Sequence, residues 1–388
     1  MTTTHPNESA SVPHRIPLFH PTVPPGAQER VAQVLQSPWL GLGPVTEQFE
    51  AAFGQKVGSD HVVAVNSGTA ALHLALRLAG AGPGDEVVLP ANTFIATGHA
   101  VLYEGAMPVF ADINPSTGNI DPEHLQSVLS PRTAAVIIVH YAGTPCDLDA
   151  IYDVARRTGI AVIEDCAHAC GAEYRGRPIG SAATYQAFSF HATKNLATGE
   201  GGALVVPDAD TRDRAARLRR FGIDKPRTAQ SAPASARWDY AVDEVGFKYN
   251  MSDIHAAIGL AQLEELDEIN AYRTALVRRY TRHLRGLTGV RMLDRPFGVT
   301  SGNFVLPVLV EHRDELMDAL DKAGIETGVH FRRIDSHPMY TPAELPQTEW
   351  FWRRTLSLPV HAGLCKHDVD AVCEVITEHL TDRSRAAI

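Results

Sequence analysis

Residues 188–206 read Phe188-Ser-Phe-His-Ala-Thr-Lys194-Asn-Leu-Ala-Thr-Gly-Glu-Gly-Gly-Ala-Leu-Val-Val206. One lysine stands between an aromatic, strand-like run and a glycine-rich turn that leads into another apolar strand. Flanked by chain of core character, Lys194 is predicted to be partly desolvated. Desolvation disfavours the ammonium form and leaves an amine able to attack an aldehyde. Upstream, Ala161-Val-Ile-Glu-Asp165 ends a second apolar strand with two carboxylates. An unpaired carboxylate in such surroundings costs several kcal/mol, so Asp165 calls for a cationic or donor partner. An imine-forming lysine and a buried acid in search of a cation are what pyridoxal phosphate requires.

Outward from this stretch, short apolar runs alternate with helical patterns from about residue 60 to residue 206. The expected strands are His61–Ser67, Glu86–Ala91, Pro108–Ile113, Ala134–Ala142, Ala161–Asp165, Tyr185–Phe190 and Ala203–Val206. Amphipathic stretches such as Ala70–Ala79 and Leu148–Thr158 lie between them. Val/Ile-rich strands separated by helices predict an α/β fold with a mostly parallel sheet covered on both faces. Ligands of such sheets bind at the carboxyl ends of strands. Asp165, Lys194 and the Asn66-Ser67-Gly68-Thr69 turn all fall there, which predicts that they converge.

Residues 208–245 change character, with a helix followed by a long Arg/Ala/Pro-rich loop. From Ser252 a long helical pattern runs through Leu260, Leu263, Leu266 and Ile269 toward Leu284, with Ser252 as its cap. Strands at Phe304–Val310 and Thr327–His330 and helices at Asp314–Ala323 and Asp368–Leu380 then suggest a smaller α/β unit. The expected division is a loose tail over 1–15, a large cofactor-binding domain over 16–251, and a linking helix with a smaller domain over 252–388.

Composition narrows the function classes. Of 388 residues, 44% are hydrophobic and 21% charged, a soluble globular balance. A formal charge of −10 argues against nucleic-acid binding, which selects for a basic surface. The longest apolar runs are strand length, too short for a bilayer, and the polar N-terminus carries no apolar signal core, so the cytoplasm is the expected location. Five cysteines in so long a chain do not make a disulfide framework. Cys166 and Cys170 bracket His168, but that spacing matches no common zinc pattern, and no metal is expected.

The Asn66-Ser-Gly-Thr-Ala-Ala-Leu72 stretch is a strand end, a tight turn and a helix start. Free amides and the positive end of the helix dipole make such a place an anion site, although the same turn is also an ordinary cap. Gly199-Glu-Gly-Gly202 is not the spaced glycine fingerprint of a dinucleotide site. With Pro90-Ala-Asn-Thr-Phe94, Ile163-Glu-Asp-Cys-Ala-His168, Phe188 to Gly202 and Gly246-Phe-Lys-Tyr-Asn-Met-Ser-Asp253, the chain resembles the DegT/StrS sugar aminotransferases, which are fold-type I pyridoxal-phosphate enzymes. The resemblance runs from Ile16 to Leu380 and implies a seven-stranded sheet between helices.

It also implies roles. Lys194 would carry the cofactor as an imine and later move the proton. Asp165 would pair with the pyridine nitrogen, a contact worth about 4 kcal/mol for unit charges at about 4 Å. Gly68, Thr69 and Ser189 would hold the phosphate, with Asn250 reaching it from a neighbouring subunit of a homodimer. Phe94 would stack on the ring and His168 would bond its phenolic oxygen. The implied reaction is ping-pong transfer of an amino group from L-glutamate to a nucleotide-linked keto-sugar. Ser-Phe-His-Ala-Thr-Lys-Asn followed by Thr-Gly-Glu-Gly-Gly resembles members acting at carbon 4, with a dTDP-4-keto-6-deoxy sugar as the expected substrate. The alternatives are a 3-keto sugar or a keto-cyclitol. His330 would then sit near the sugar and Tyr141 at the pocket edge, and Trp39 in Trp39-Leu-Gly-Leu-Gly43 would either close over the sugar or serve as a packing anchor. The basic run Arg212, Arg214, Arg217, Arg219, Arg220, Lys225 and Arg227 is the expected diphosphate contact, with Arg332 and Arg333 second.

Two rivals share the scaffold. Sugar dehydratases related to this family carry histidine where Lys194 stands. A non-catalytic cofactor-binding regulator would be expected to have lost Lys194 or Asp165, and both are present.

Overall fold

A computed structural model describes residues 15–224 and 240–386. Residues 1–14 of the expected tail and the basic residues Lys225 and Arg227 lie outside the described residues. The chain opens with α1 (Pro25–Gln36) and α2 (Pro44–Val57), then β1 (Val62–Val65), α3 (Gly68–Ala79), β2 (Glu86–Pro90), α4 (Ile95–Tyr103) and β3 (Met107–Ala111). It continues through α5 (Pro122–Val128), β4 (Thr133–Val139), α6 (Leu148–Thr158), β5 (Ala161–Asp165), the short β6 (Glu173–Tyr174) and β7 (Arg177–Pro178), then β8 (Tyr185–Ser189) and β9 (Gly202–Val205). After α7 (Ala209–Leu218) come β10 (Ile223–Asp224), β11 (Ala241–Val242) and the 32-residue α8 (Asp253–Leu284). The last part holds β12 (Val290–Met292), β13 (Val299–Thr300), β14 (Leu306–Val310), α9 (Arg313–Lys322), α10 (Pro346–Trp352), β15 (Thr355–Leu358) and α11 (Lys366–Ala386).

The seven expected strands build one sheet in the order β1-β9-β8-β5-β4-β2-β3. All neighbours pair in parallel except at β9, which runs antiparallel to both β1 and β8. The reversal follows from the short glycine turn after Lys194, which brings the chain straight back beside β8, whereas parallel neighbours need a long crossover. Two apolar layers cover the sheet. One gathers Phe49, Phe53, Phe188, Phe190 and Val136, and the other Leu74, Leu76, Leu89, Ile137 and Leu204. Alternate residues of a strand therefore serve opposite layers, which explains the near-continuous Val/Ile runs.

Local signals set the element ends. Asp147 caps α6 by accepting from Ala150 N, and Gly80, in the left-handed region at φ 81°, ends α3. Ser252 caps α8 as expected. That helix packs on α1 and α2 at one end and on α11 at the other, and so joins the sheet domain to the C-terminal layer. The C-terminal core gathers around Leu276, Tyr280, Val308, Leu356 and Ile376. One expectation fails here. Thr327–His330 forms no strand, only a single bridge from Gly328 to Ser357. β14 pairs with β12 and with β15, and β15 was not expected because its polar Thr355 and Ser357 gave no apolar run to read.

Candidate active site

The carboxyl ends of β5 and β8, the start of α3 and the segments around Phe304 and His330 enclose a cleft of about 310 Å³. Its walls include Asp165, His168, Ser189, Lys194, Gly68, Thr69, Phe94 and His330. These residues lie as much as 262 positions apart between Gly68 and His330, so the topology alone assembles them.

The floor of the cleft is built as an anion site. Ser67 caps α3 through its hydroxyl, which accepts from Ala70 N at 3.1 Å. The Gly68 and Thr69 amides at the first turn have no acceptor within the helix. Gly68 packs so closely on β8 that a Cβ there would stand 2.8 Å from Ser189 Cβ. Gly202 meets the same turn from behind, where a Cβ would fall 2.5 Å from Ser67 carbonyl atoms. Two glycines thus let a helix start, a strand end and a turn share one small volume.

Charge is arranged around it. Asp165 is buried, accepting from Ala167 N at 3.1 Å and from the Thr97 hydroxyl at 2.9 Å. Burial pushes its carboxyl above the ordinary range, against those two donors and Lys194. A further cation in the cleft would bring it down. Burial likewise lowers Lys194 to about 8, with Asp165 pulling the other way. Its Nζ lies 4.2 Å over the Phe304 ring. His168 is held well below the usual histidine range by burial and by the nearby Lys194 and His330, so it is neutral. His330 is lowered to about 4 by burial and by Lys194.

Other expected site residues lie elsewhere. Tyr141 is buried behind the wall, its hydroxyl donating to the His330 carbonyl, and supports that wall without facing the cleft. Trp39 folds over Gly41 and Gly43, donates to the Leu42 carbonyl at 2.8 Å, and lines a separate hollow beside Asp253. Asn250 forms a bridge with Val65, next to the Asn66–Thr69 turn, and its buried Oδ1 has no partner among the described residues. Arg219 corrects the expectation of a diphosphate contact. It is 6% exposed, ion-paired with Glu50, and donates to the Ala64 carbonyl at 2.6 Å. A guanidinium committed to a carboxylate inside the fold is not available to a ligand. Arg333 is held by Asp335 and Glu349 in the same way, whereas Arg214 is ion-paired with Glu244 at a partly exposed position. Arg220 lies half-buried on the turn after α7, its backbone bridged to Lys248, and Arg332 is exposed.

Sequence reasoning missed part of the wall. Phe19 arrives from the strand-like segment before α1, and Phe304 and Phe331 from the C-terminal part. Phe304 stacks on His168 at 4.2 Å and on Phe19 at 5.3 Å. Behind β5, His140 Nδ1 accepts from Cys146 N at 3.1 Å, so the proton is on Nε2, which bonds Glu164 at 2.8 Å. Cys166 joins this buried group, whose ligand atoms lie within 4.8 Å of one another, but its histidine and carboxylate are already hydrogen-bonded.

The residues fit pyridoxal phosphate. The phenolic oxygen has a buried, unpartnered His168 Nδ1 to meet, the ring nitrogen a buried carboxylate, the aldehyde a half-buried amine, and the phosphate a glycine-lined helix start. Residues 25–377 match the DegT/DnrJ/EryC1/StrS aminotransferase family. The chain belongs to this family. It is 40% identical over 381 residues to the spore coat polysaccharide biosynthesis protein SpsC of Bacillus subtilis, covering 94% of this chain and 97% of that one. Its fold is similar to the sugar aminotransferase CalS13 of Micromonospora echinospora, with a TM-score of 0.88, 35% identity, and 94% and 99% of the two chains covered. It is similar also to the PLP-form of the putative sugar aminotransferase Spr1654 of Streptococcus pneumoniae, with a TM-score of 0.89, 28% identity, and 95% and 99% covered. The protein is therefore a fold-type I sugar aminotransferase of amino-sugar biosynthesis, and its cofactor is pyridoxal 5'-phosphate. Among the described residues no helix is long and apolar enough to cross a membrane.

Proposed function

We propose that the enzyme moves an amino group from L-glutamate to the 4-keto carbon of a nucleotide-linked sugar, a dTDP-4-keto-6-deoxy sugar being the expected substrate. The observation that carries the catalytic reading is the half-buried Lys194 amine in the same cleft as buried Asp165. When bound, pyridoxal phosphate supplies an electron-withdrawing ring that makes the hydrogen on the amino-bearing carbon acidic.

The chain's own residues do the rest in this reading. Asp165 keeps the ring nitrogen protonated by its charge in a site of low dielectric. Gly68 and Thr69 amides and the Ser189 hydroxyl hold the phosphate, which fixes the ring while Lys194 is detached. Phe94 packs on the ring, and neutral His168 offers a ring nitrogen to the phenolic oxygen. Lys194, poised at about 8, takes a proton from one carbon and returns it to the other near neutral pH. His330 borders the sugar.

Two copies share each site in this proposal. Lys194 is the one Lys or Arg among the described residues of the wall, and the cofactor claims it. A dicarboxylate donor and a nucleotide diphosphate bring several negative charges, so further cations must come from beyond that wall. Arg220 and Arg332 are the suppliers in this reading, and a partner subunit's Asn250 adds a neutral hydrogen-bonding contact to the phosphate. The large unit 16–251 then holds the cofactor and 252–388 closes the sugar side. Incubating the enzyme with glutamate and a panel of nucleotide-linked 4-keto and 3-keto sugars, and locating the new amine by NMR, tests the proposal. Amination at carbon 3 or of a cyclitol only would refute the carbon-4 assignment.

A further inference from the structure

Lys194 has a neighbour that no charge or hydrogen-bond argument predicts. Its Nζ stands 4.2 Å from the centroid of the Phe304 ring, within cation–π range. Phe304 is 2% exposed, so little of its ring meets water. The ring is also held in place. Phe304 N donates to the Ala142 carbonyl at 3.2 Å, and the Phe304 carbonyl accepts from buried Arg273 at 3.3 Å. Asn195, the residue after Lys194, donates to the Gly302 carbonyl at 2.5 Å. The lysine turn and the segment that carries Phe304 are thus tied together two residues from the ring.

We propose that the face of Phe304 is the seat of the Lys194 ammonium once that residue, released from the cofactor, has taken up a proton. The inference rests on Lys194 being the attachment site. In a ping-pong cycle Lys194 is free for half of each turnover, and it must stay close and keep a proton to return. Burial weakens the hold on that proton, and Asp165 is engaged by the ring. A quadrupole facing the amine retains the charge without forming a bond that must later be broken. The titratable groups facing Lys194 are Asp165 from β5, His168 after it and His330 from the C-terminal part, with His191 and Glu200 at the rim. Phe304 is the neighbour that can be altered without changing any of their charges.

The test replaces Phe304 with mono-, di- and trifluorinated phenylalanine in the full-length protein, a series that drains the ring's negative face at nearly constant shape. Cofactor is removed, and its reattachment is followed by absorbance across pH. The neutral amine adds to the aldehyde and water leaves, so the rate follows the unprotonated fraction of Lys194. The proton affinity of Lys194 is expected to fall stepwise with fluorination, by about three- to thirty-fold over the series. Phe304→Leu should match the end of the series and Phe304→Trp should reverse it. A midpoint that does not move along the series overturns the assignment while leaving Lys194 as the attachment site. Reattachment with no bond to Lys194 in the unsubstituted protein overturns the underlying reading and this one with it.

Discussion

Thr97 Oγ1 donates a 2.9 Å hydrogen bond to Asp165 Oδ2, joining the first turns of α4 to the end of β5 across 68 residues. Thr97 is in turn bonded to the Thr93 hydroxyl at 2.8 Å, and all three side chains are buried. With Ala167 N on the other oxygen, the carboxylate is fixed in rotation while its remaining lone pairs face the cleft.

Thr97→Val keeps the shape and removes that donor. Hydrogen bonds to charged groups contribute about 1.5–3 kcal/mol, so cofactor affinity should fall about ten- to a hundredfold. Titration by absorbance checks it, with circular dichroism unchanged.

The lowered proton affinity of Lys194 sets a pH profile. Burial disfavours its ammonium, so the neutral amine appears on raising pH through about 8 rather than at the ordinary lysine value. Cofactor attachment to the depleted protein should therefore rise with pH and level off above that point. Asp165 holds the ammonium, so Asp165→Asn should move the midpoint down.

Arg219 and Arg220 are adjacent in sequence and should separate cleanly. Arg219→Met strands Glu50, so it should lower stability by about 3 kcal/mol with little change in KM for the sugar. Arg220→Ala should leave stability within about 0.5 kcal/mol and raise that KM several-fold. Thermal melts and steady-state kinetics on both variants decide.

Asn250→Ala and Lys194→Ala subunits, each inactive or impaired alone, should recover activity when paired if the asparagine serves the neighbouring site. Verified heterodimers then hold one intact site of two. No recovery would place Asn250 in its own subunit's service.

What the sequence disclosed and what it hid have physical causes. The sheet was legible because β1, β2, β4, β5, β8 and β9 are buried along most of their length on both faces, so each is a short apolar run between helices. Lys194, Asp165 and Gly68 were legible because strand ends and glycine turns are local. Phe19 and Phe304 were not, since an aromatic in a connecting segment gives no sign of which cavity it will wall. Arg219 misled because basic residues read as a cluster until Glu50, on a distant helix, is seen beside one of them. Tyr141 misled similarly, since the apolar run after β4 turns inward at a single 3-10 turn, Tyr141–Gly143, and buries the ring.

The most direct test of the account is to reduce the purified, cofactor-loaded protein with borohydride, digest it, and locate the modified residue by mass spectrometry. The account predicts loss of the visible band and a reduced pyridoxyl group on the peptide bearing Lys194, absent from Lys194→Ala. A label on another lysine, or none in a protein that still transaminates, would contradict it.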